Sequence, residues 1–182
     1  MSQNPQNALT YTFSRNHIPA TGFVIEQRVY AIGVPVRRKI LERWTPPGFD
    51  LGNHLYSHPD VNTLSVNQIE REISDGESTF GSLLKEKGRK VRTPQFLRFP
   101  YNHTGDTKEK HDAIAAFMAE HGYRLAPCTI DNTDYEFNVT YTLALERNDE
   151  ATATKVRAAY IAYTAAEIDW WIWKQLLSVD EQ

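Results

Sequence analysis

The sequence predicts an α/β fold: a parallel sheet or barrel with one long helix toward the C-terminal end. Two observations carry this. Short apolar runs alternate with segments of helical period, the pattern of β-α-β units. Gly, Pro and capping residues punctuate the alternation. The alanine-rich stretch from Ala151 to Leu177 then reads as the long helix.

The elements follow in order. Thr21 to Ile25 is a short apolar run that reads as a buried strand. Phe49 to Asn53 follows the Pro46-Pro47-Gly48 breaker and reads as a second strand. Ser65 and Gln68 form a capping-box signal. Ile69, Ile73, Phe80, Leu83 and Leu84 then keep one helical period. Gln95 to Phe99 is a third strand, ended by Pro100. Asp106 or Thr107 caps a helix carrying Ile114, Phe117, Met118 and His121, with Gly122 as its left-handed C-terminal cap. Tyr123 to Ile130 is a fourth strand. Val156, Tyr160, Tyr163, Trp170, Trp173 and Leu177 form the apolar stripe expected of the last helix.

Composition excludes several classes. The chain has 182 residues, 41% hydrophobic and 24% charged, with a net charge of −3. That is a globular balance, and a single domain over residues 1–182 is expected. The near-neutral charge leaves no footprint for nucleic acid. No apolar run approaches the roughly 20 residues of a membrane span. The one cysteine, Cys128, excludes an intrachain disulfide and a cysteine metal cluster. Met1 to Ala8 is polar and lacks a basic-then-apolar leader, so a soluble, non-exported chain is expected.

In parallel α/β sheets, functional residues gather where strands end. Strand two ends at His54, strand three at Arg98 to Tyr101, and strand four at Asp131 to Asp134. His54 and His58, four apart, are expected on one side of a helical turn, where both imidazoles reach one metal ion; the alternative is a pair of solvent-facing or capping histidines. Arg98 lies between apolar residues and calls for a carboxylate partner. Pro100 fixes the backbone beside Tyr101, as an oxyanion site requires; a structural ion pair is the alternative. Asp131 and Asp134 suit orienting a histidine or binding hydroxyls, or else capping a loop.

Taken in order, these clusters resemble the NodB-type polysaccharide deacetylases, carbohydrate esterase family 4. Ile18-Pro19-Ala20-Thr21-Gly22-Phe23-Val24 resembles the family's strand after its first helix. Gly52-Asn53-His54-Leu55-Tyr56-Ser57-His58-Pro59 matches its histidine motif, and Arg98-Phe99-Pro100-Tyr101 its Arg-x-Pro-Tyr motif. Asp131-Asn132-Thr133-Asp134-Tyr135 is similar to Asp-x-x-Asp-Trp, with Tyr135 for Trp. His121-Gly122-Tyr123 fits a helix end before a strand. The resemblance implies a distorted, incomplete (β/α) barrel. It implies a metal-dependent hydrolase that removes acetyl groups from a carbohydrate polymer or oligomer. His54 and His58 would be ligands of a divalent metal, zinc by family habit. Arg98 would orient the catalytic base, the Tyr101 N–H would hold the oxyanion, and Asp134 or Asp131 would sit near an acid histidine. It also implies a periplasmic or extracellular setting if a leader precedes this chain.

Two family motifs lack counterparts. The family's Asp-Asp motif supplies a base and a third ligand, yet no aspartate precedes Asp50. Ala8-Leu9-Thr10 is instead expected to run as a strand straight into a helix end. The family's last motif ends in a histidine, and none follows His121. The chain therefore resembles the family domain with its first βα segment shortened and its last strand missing. Asp50, Asp60 and Asp106 are candidate replacements that no spacing distinguishes. Little turnover is expected. The alternative is a non-catalytic metal- or glycan-binding relative, or a gene fragment. A third reading, an interaction protein, rests on Trp170, Trp171 and Trp173 alone.

Overall fold

The computed structural model describes residues 5–88 and 95–179. Two compact units divide the chain, Met1–Pro127 and Cys128–Gln182.

Among its described residues the first unit holds four parallel strands, β1 (Ala20–Val24), β2 (Phe49–Asn53), β3 (Gln95–Leu97) and β4 (Tyr123–Leu125), in the spatial order β1-β2-β3-β4. Sequential neighbours pair throughout, each crossover carrying at least one helix, as parallel pairing requires. The mixed α/β class and parallel sheet predicted from sequence are present. Among the described residues the sheet is open. β1 and β2 pair along their full length, from Ala20↔Phe49 to Val24↔Asn53. Among the described residues β2 and β3 share one ladder pair, Asn53↔Leu97, extended by a 3.0 Å bond from the Arg98 N–H to the Asn53 carbonyl.

Among the described residues six α-helices accompany these strands: α1 (Pro5–Arg15), α2 (Glu26–Ala31), α3 (Val34–Glu42), α4 (Val66–Asp75), α5 (Ser78–Glu86) and α6 (Lys108–Glu120). The segment expected as a shortened first strand, Ala8 to Thr10, is instead helical. The roughly helical period from Ile69 to Leu84 is carried by two helices, α4 and α5, divided at Gly76. The Ser65/Gln68 capping box and the Thr107 cap both form. Gly122 takes φ 72°, the left-handed value that ends α6. Two apolar clusters hold the unit. Leu55, Ile69, Ile73, Leu97, Ile114 and Met118 pack in one, and Val24, Leu41, Leu51, Phe80, Leu83 and Leu84 in the other.

Strand four is shorter than expected. Its last ladder bond is Ala126 N–H to the Leu97 carbonyl at 2.8 Å, and Pro127 has no N–H to continue it.

The second unit contains α7 (Asp134–Glu146) and α8 (Glu150–Val179), the latter 30 residues long. The long helix is as expected; α7 was not. Phe137 packs edge to face on Tyr160 at 5.4 Å and tilted on Tyr163 at 5.6 Å, joining the two helices. Trp170 and Trp173, expected on an apolar stripe, are 52% and 56% exposed. The Leu177 side chain lies outside the described residues. Among the described residues, no helix is long and apolar enough to cross a membrane.

Candidate functional site

The site begins where β2 ends. Asn53 is fully buried, and its amide works in two directions. Nδ2 donates to the Ile73 carbonyl at 2.7 Å and to the Tyr123 hydroxyl at 3.3 Å, while Oδ1 accepts the Leu55 N–H at 2.8 Å. The His54 N–H completes the ladder onto the Val24 carbonyl at 3.0 Å. The chain then reverses. Leu55 adopts φ 67° and His58 φ 65°, left-handed values that non-glycine residues seldom take. Burial of the Leu55 side chain offsets part of that strain. Glu72 grips the middle of the loop. Its carboxylate accepts the Ser57 N–H and Oγ–H, both at 2.8 Å, and its carbonyl accepts the Tyr56 N–H at 3.0 Å.

His54 and His58 therefore do not share a helical turn, contrary to the expectation from their spacing. The residue before a proline is disfavoured in helical conformation, and His58 precedes Pro59. The looped backbone nevertheless brings the rings together. Their centroids lie 4.9 Å apart, edge to face.

The His54 Nδ1 lies 2.7 Å from the Arg98 carbonyl. A carbonyl only accepts, so Nδ1 carries the proton and Nε2 keeps its lone pair. Burial pushes the His54 pKa down; the Arg98 carbonyl opposes this, and the nearby His58, Arg98 and Arg28 add to it. A neutral imidazole with one oriented lone pair is the form that ligates a metal. Among the described residues, no third His, Cys, Asp or Glu completes a metal cluster.

Arg98 departs from expectation. Its guanidinium meets no carboxylate among the described residues. It donates from Nε to the Ala126 carbonyl at 3.1 Å and from Nη2 to the Pro127 carbonyl at 3.4 Å, and it lies over the Phe23 ring at 4.6 Å. Backbone oxygens and an aromatic face solvate this cation in place of an anion.

Beyond Pro100, Tyr101 and Asn102 take φ 57° and 58° in succession. The Tyr101 ring stands 5.1 Å from that of His58 and 6.0 Å from that of His103. Arg98, Tyr101, His54 and His58 are thus one neighbourhood, as predicted. His103 in turn pairs with Asp60, Nδ1 to Oδ1 at 2.7 Å. The same Oδ1 accepts the Asn62 N–H at 2.9 Å. These two bonds, from His103 first and Asn62 second, hold the Asp60 pKa below the usual carboxylate range. Asp60 and His103 are 43 residues apart and were not assigned a joint role from sequence. Each lies two residues beyond a motif residue, His58 or Tyr101, which is the available signal. Of the other candidate replacements, Asp106 binds Lys110 at 2.6 Å, and Asp50 accepts the Leu51 N–H at 3.0 Å.

Asp131 and Asp134 belong to the second unit and do not end a strand, because β4 stops at Leu125. Asp131 is exposed and accepts the Thr133 N–H at 3.2 Å, an Asx-type turn. Asp134 is exposed in the first turn of α7, where a carboxylate suits the helix dipole.

Comparison with known proteins places this geometry in context. A family model described as polysaccharide deacetylase matches residues 2–126. The chain is similar to a chitin deacetylase of Arthroderma benhamiae, 28% identical over 97 residues, which are 53% of this chain and 23% of that protein. It thus spans about a quarter of that curated relative's length. Among solved structures, it is similar in fold to a family 4 carbohydrate esterase from Streptomyces lividans in complex with acetate. The TM-score is 0.55 at 19% identity, covering 75% of this chain and 62% of the other. It is likewise similar to a family 4 pseudoenzyme from Bacillus anthracis, with TM-score 0.56, 14% identity, and coverage of 89% and 56%. The family match takes in the histidine loop, the Arg98–Tyr101 segment and all four strands, well over half of the sequence, and on that basis the chain belongs to the polysaccharide deacetylase family.

Proposed function

We propose that this chain binds a divalent metal ion, zinc, through His54 and His58, and that it hydrolyses acetyl groups on an acetylated carbohydrate with low turnover. The observation that carries this reading is the edge-to-face histidine pair, with the His54 Nδ1 proton committed to the Arg98 carbonyl. That arrangement fits a metal as two nitrogen donors. Catalytic zinc sites usually keep three protein ligands, so water would complete this one and the affinity would be lower. When bound, such an ion polarises the acetyl carbonyl and makes water a better nucleophile. The chain's own residues do the rest. Arg98 holds the His54 tautomer through its carbonyl. Tyr101, exposed beside His58, offers a ring face on which a sugar can lie.

A second reading, a non-catalytic metal- or glycan-binding protein, draws on the lack of a third ligand among the described residues. One experiment separates them. Metal-stripped protein is titrated with zinc by calorimetry, alongside the His54→Ala/His58→Ala double variant, and acetate release from N-acetylglucosamine oligomers is then measured. One ion per chain, lost in the variant, together with acetate release, supports the hydrolase. Binding without release supports the second reading. No histidine-dependent binding would sink the site assignment.

A further inference from the structure

Outside the histidine pair, one cluster of titratable groups stands out. His103 and Asp60 form a carboxylate–imidazole pair at 2.7 Å, placed at the end of a file of rings that runs His54, His58, Tyr101, His103. Asp60 is fixed from behind. It caps the short 3-10 turn Val61–Thr63, and Asn62 of that turn accepts the Gly105 N–H at 3.2 Å and the Lys110 Nζ–H at 2.9 Å. The imidazole is delivered by two consecutive left-handed residues, Tyr101 and Asn102. Strain of that kind persists where the surroundings over-determine the conformation, commonly at functional sites. A structural ion pair would not need it, since exposed pairs contribute little stability. The His103 side chain keeps 42% of its surface exposed.

We propose that His103, oriented by Asp60, is the acid–base residue of this site, and that one dyad serves both halves of acetamide hydrolysis. This rests on the hydrolase reading above. Asp60 holds the proton on Nδ1, which leaves the Nε2 lone pair as a base. Nε2 takes a proton from the attacking water as its oxygen bonds to the carbonyl carbon. The C–N bond of the tetrahedral adduct then breaks, its electron pair passes to nitrogen, and Nε2 returns the proton to that nitrogen. The products are acetic acid and the free amine, and the imidazole ends neutral as it began.

The test uses the full chain with zinc, N-acetylglucosamine oligomers as the acetamide and 4-nitrophenyl acetate as an activated ester. Loss of a positioned acid–base group costs about 10²–10⁴ in rate. His103→Gln is expected to lower acetamide hydrolysis by that factor. It should lower ester hydrolysis at least tenfold less, because nitrophenolate departs without a proton. Zinc affinity should not change. Nitrogen NMR of the metal-free wild type should show His103 protonated at Nδ1, and Asp60→Asn should abolish that preference. Equal losses on both substrates, an unchanged acetamide rate, or a tautomer indifferent to Asp60→Asn would each overturn the proposal. A wild type that releases acetate from neither substrate would refute the hydrolase reading itself, and the inference with it.

Discussion

Replacing Gly76 with alanine tests how the histidine loop is held. Gly76 ends α4 at φ −68° and ψ −8°, an ordinary right-handed conformation. On backbone grounds alone, alanine there should stabilise the protein by about 0.4–1 kcal/mol, by restricting the unfolded chain. The surroundings argue the opposite. A methyl group at Gly76 would stand 2.6 Å from Asn53 Oδ1, 2.9 Å from the Glu72 carbonyl oxygen and 2.9 Å from the Leu55 carbonyl carbon. Two of these are backbone atoms that cannot swing aside. Overpacking of this kind costs about 1–3 kcal/mol. Displacing Asn53 Oδ1 also orphans the buried Leu55 N–H, for about 1–3 kcal/mol more. The expected net is a loss of about 1–5 kcal/mol, read as a lower urea midpoint at unchanged slope. Zinc affinity should fall with it, because Leu55 sets the course of the chain between the two histidines. A Gly76→Ala protein as stable as the parent, or more so, would refute this account of the loop.

Other perturbations probe the same neighbourhood and the second unit. Arg98→Lys removes the planar fork that reaches two carbonyls and the stacking on Phe23, and should cost about 1–2 kcal/mol by chemical denaturation. Glu72→Ala leaves the Ser57 N–H without its carboxylate. It should cost about 1–3 kcal/mol and weaken zinc binding in the same calorimetric titration. Asp149 begins α8, and the Thr152 hydroxyl and then the Thr152 N–H hold its pKa below the usual aspartate value. A depressed carboxylate contributes stability above its unfolded pKa and loses it as pH falls through the folded one. Helical circular dichroism should therefore decline at the acid end of a titration, and Asp149→Ala should remove that component of the decline.

Much of the frame was legible because its signals are local. β2 follows a Pro-Pro-Gly breaker, α4 announces itself by Ser65 and Gln68, and α6 is bracketed by Thr107 and Gly122. Motif order singled out His54, His58, Arg98 and Tyr101, which lie near one another in the structure. What escaped lies in conformations and contacts without a local signature. Left-handed Leu55 and His58 are not glycines, so nothing in their identity marks the turn that replaces the expected helix. The acceptors of Arg98 are carbonyls 28 and 29 residues away, and any residue type presents a carbonyl. α7, Asp134–Glu146, mixes Val, Thr, Tyr and Phe among its positions, residues with better strand than helix propensity, and only packing against α8 decides its state. The pairing of Asp60 with His103 needs two loops to fold before they can meet.

The seam between β2 and β3 has a thermodynamic consequence. Among the described residues these strands share one ladder pair, Asn53↔Leu97, directly ahead of His54 and Arg98. The two segments that carry the candidate chemistry thus leave the sheet at the one place where its halves are stitched. A ligand held by both segments acts as a clasp on that stitch, and binding linkage converts its occupancy into stability of the whole sheet, about 2.7 kcal/mol at a hundredfold excess over Kd. The amides of β2 and β3, far from any ligand atom along the strands, would then exchange more slowly whenever the rim is occupied, and the sheet would report on its own site.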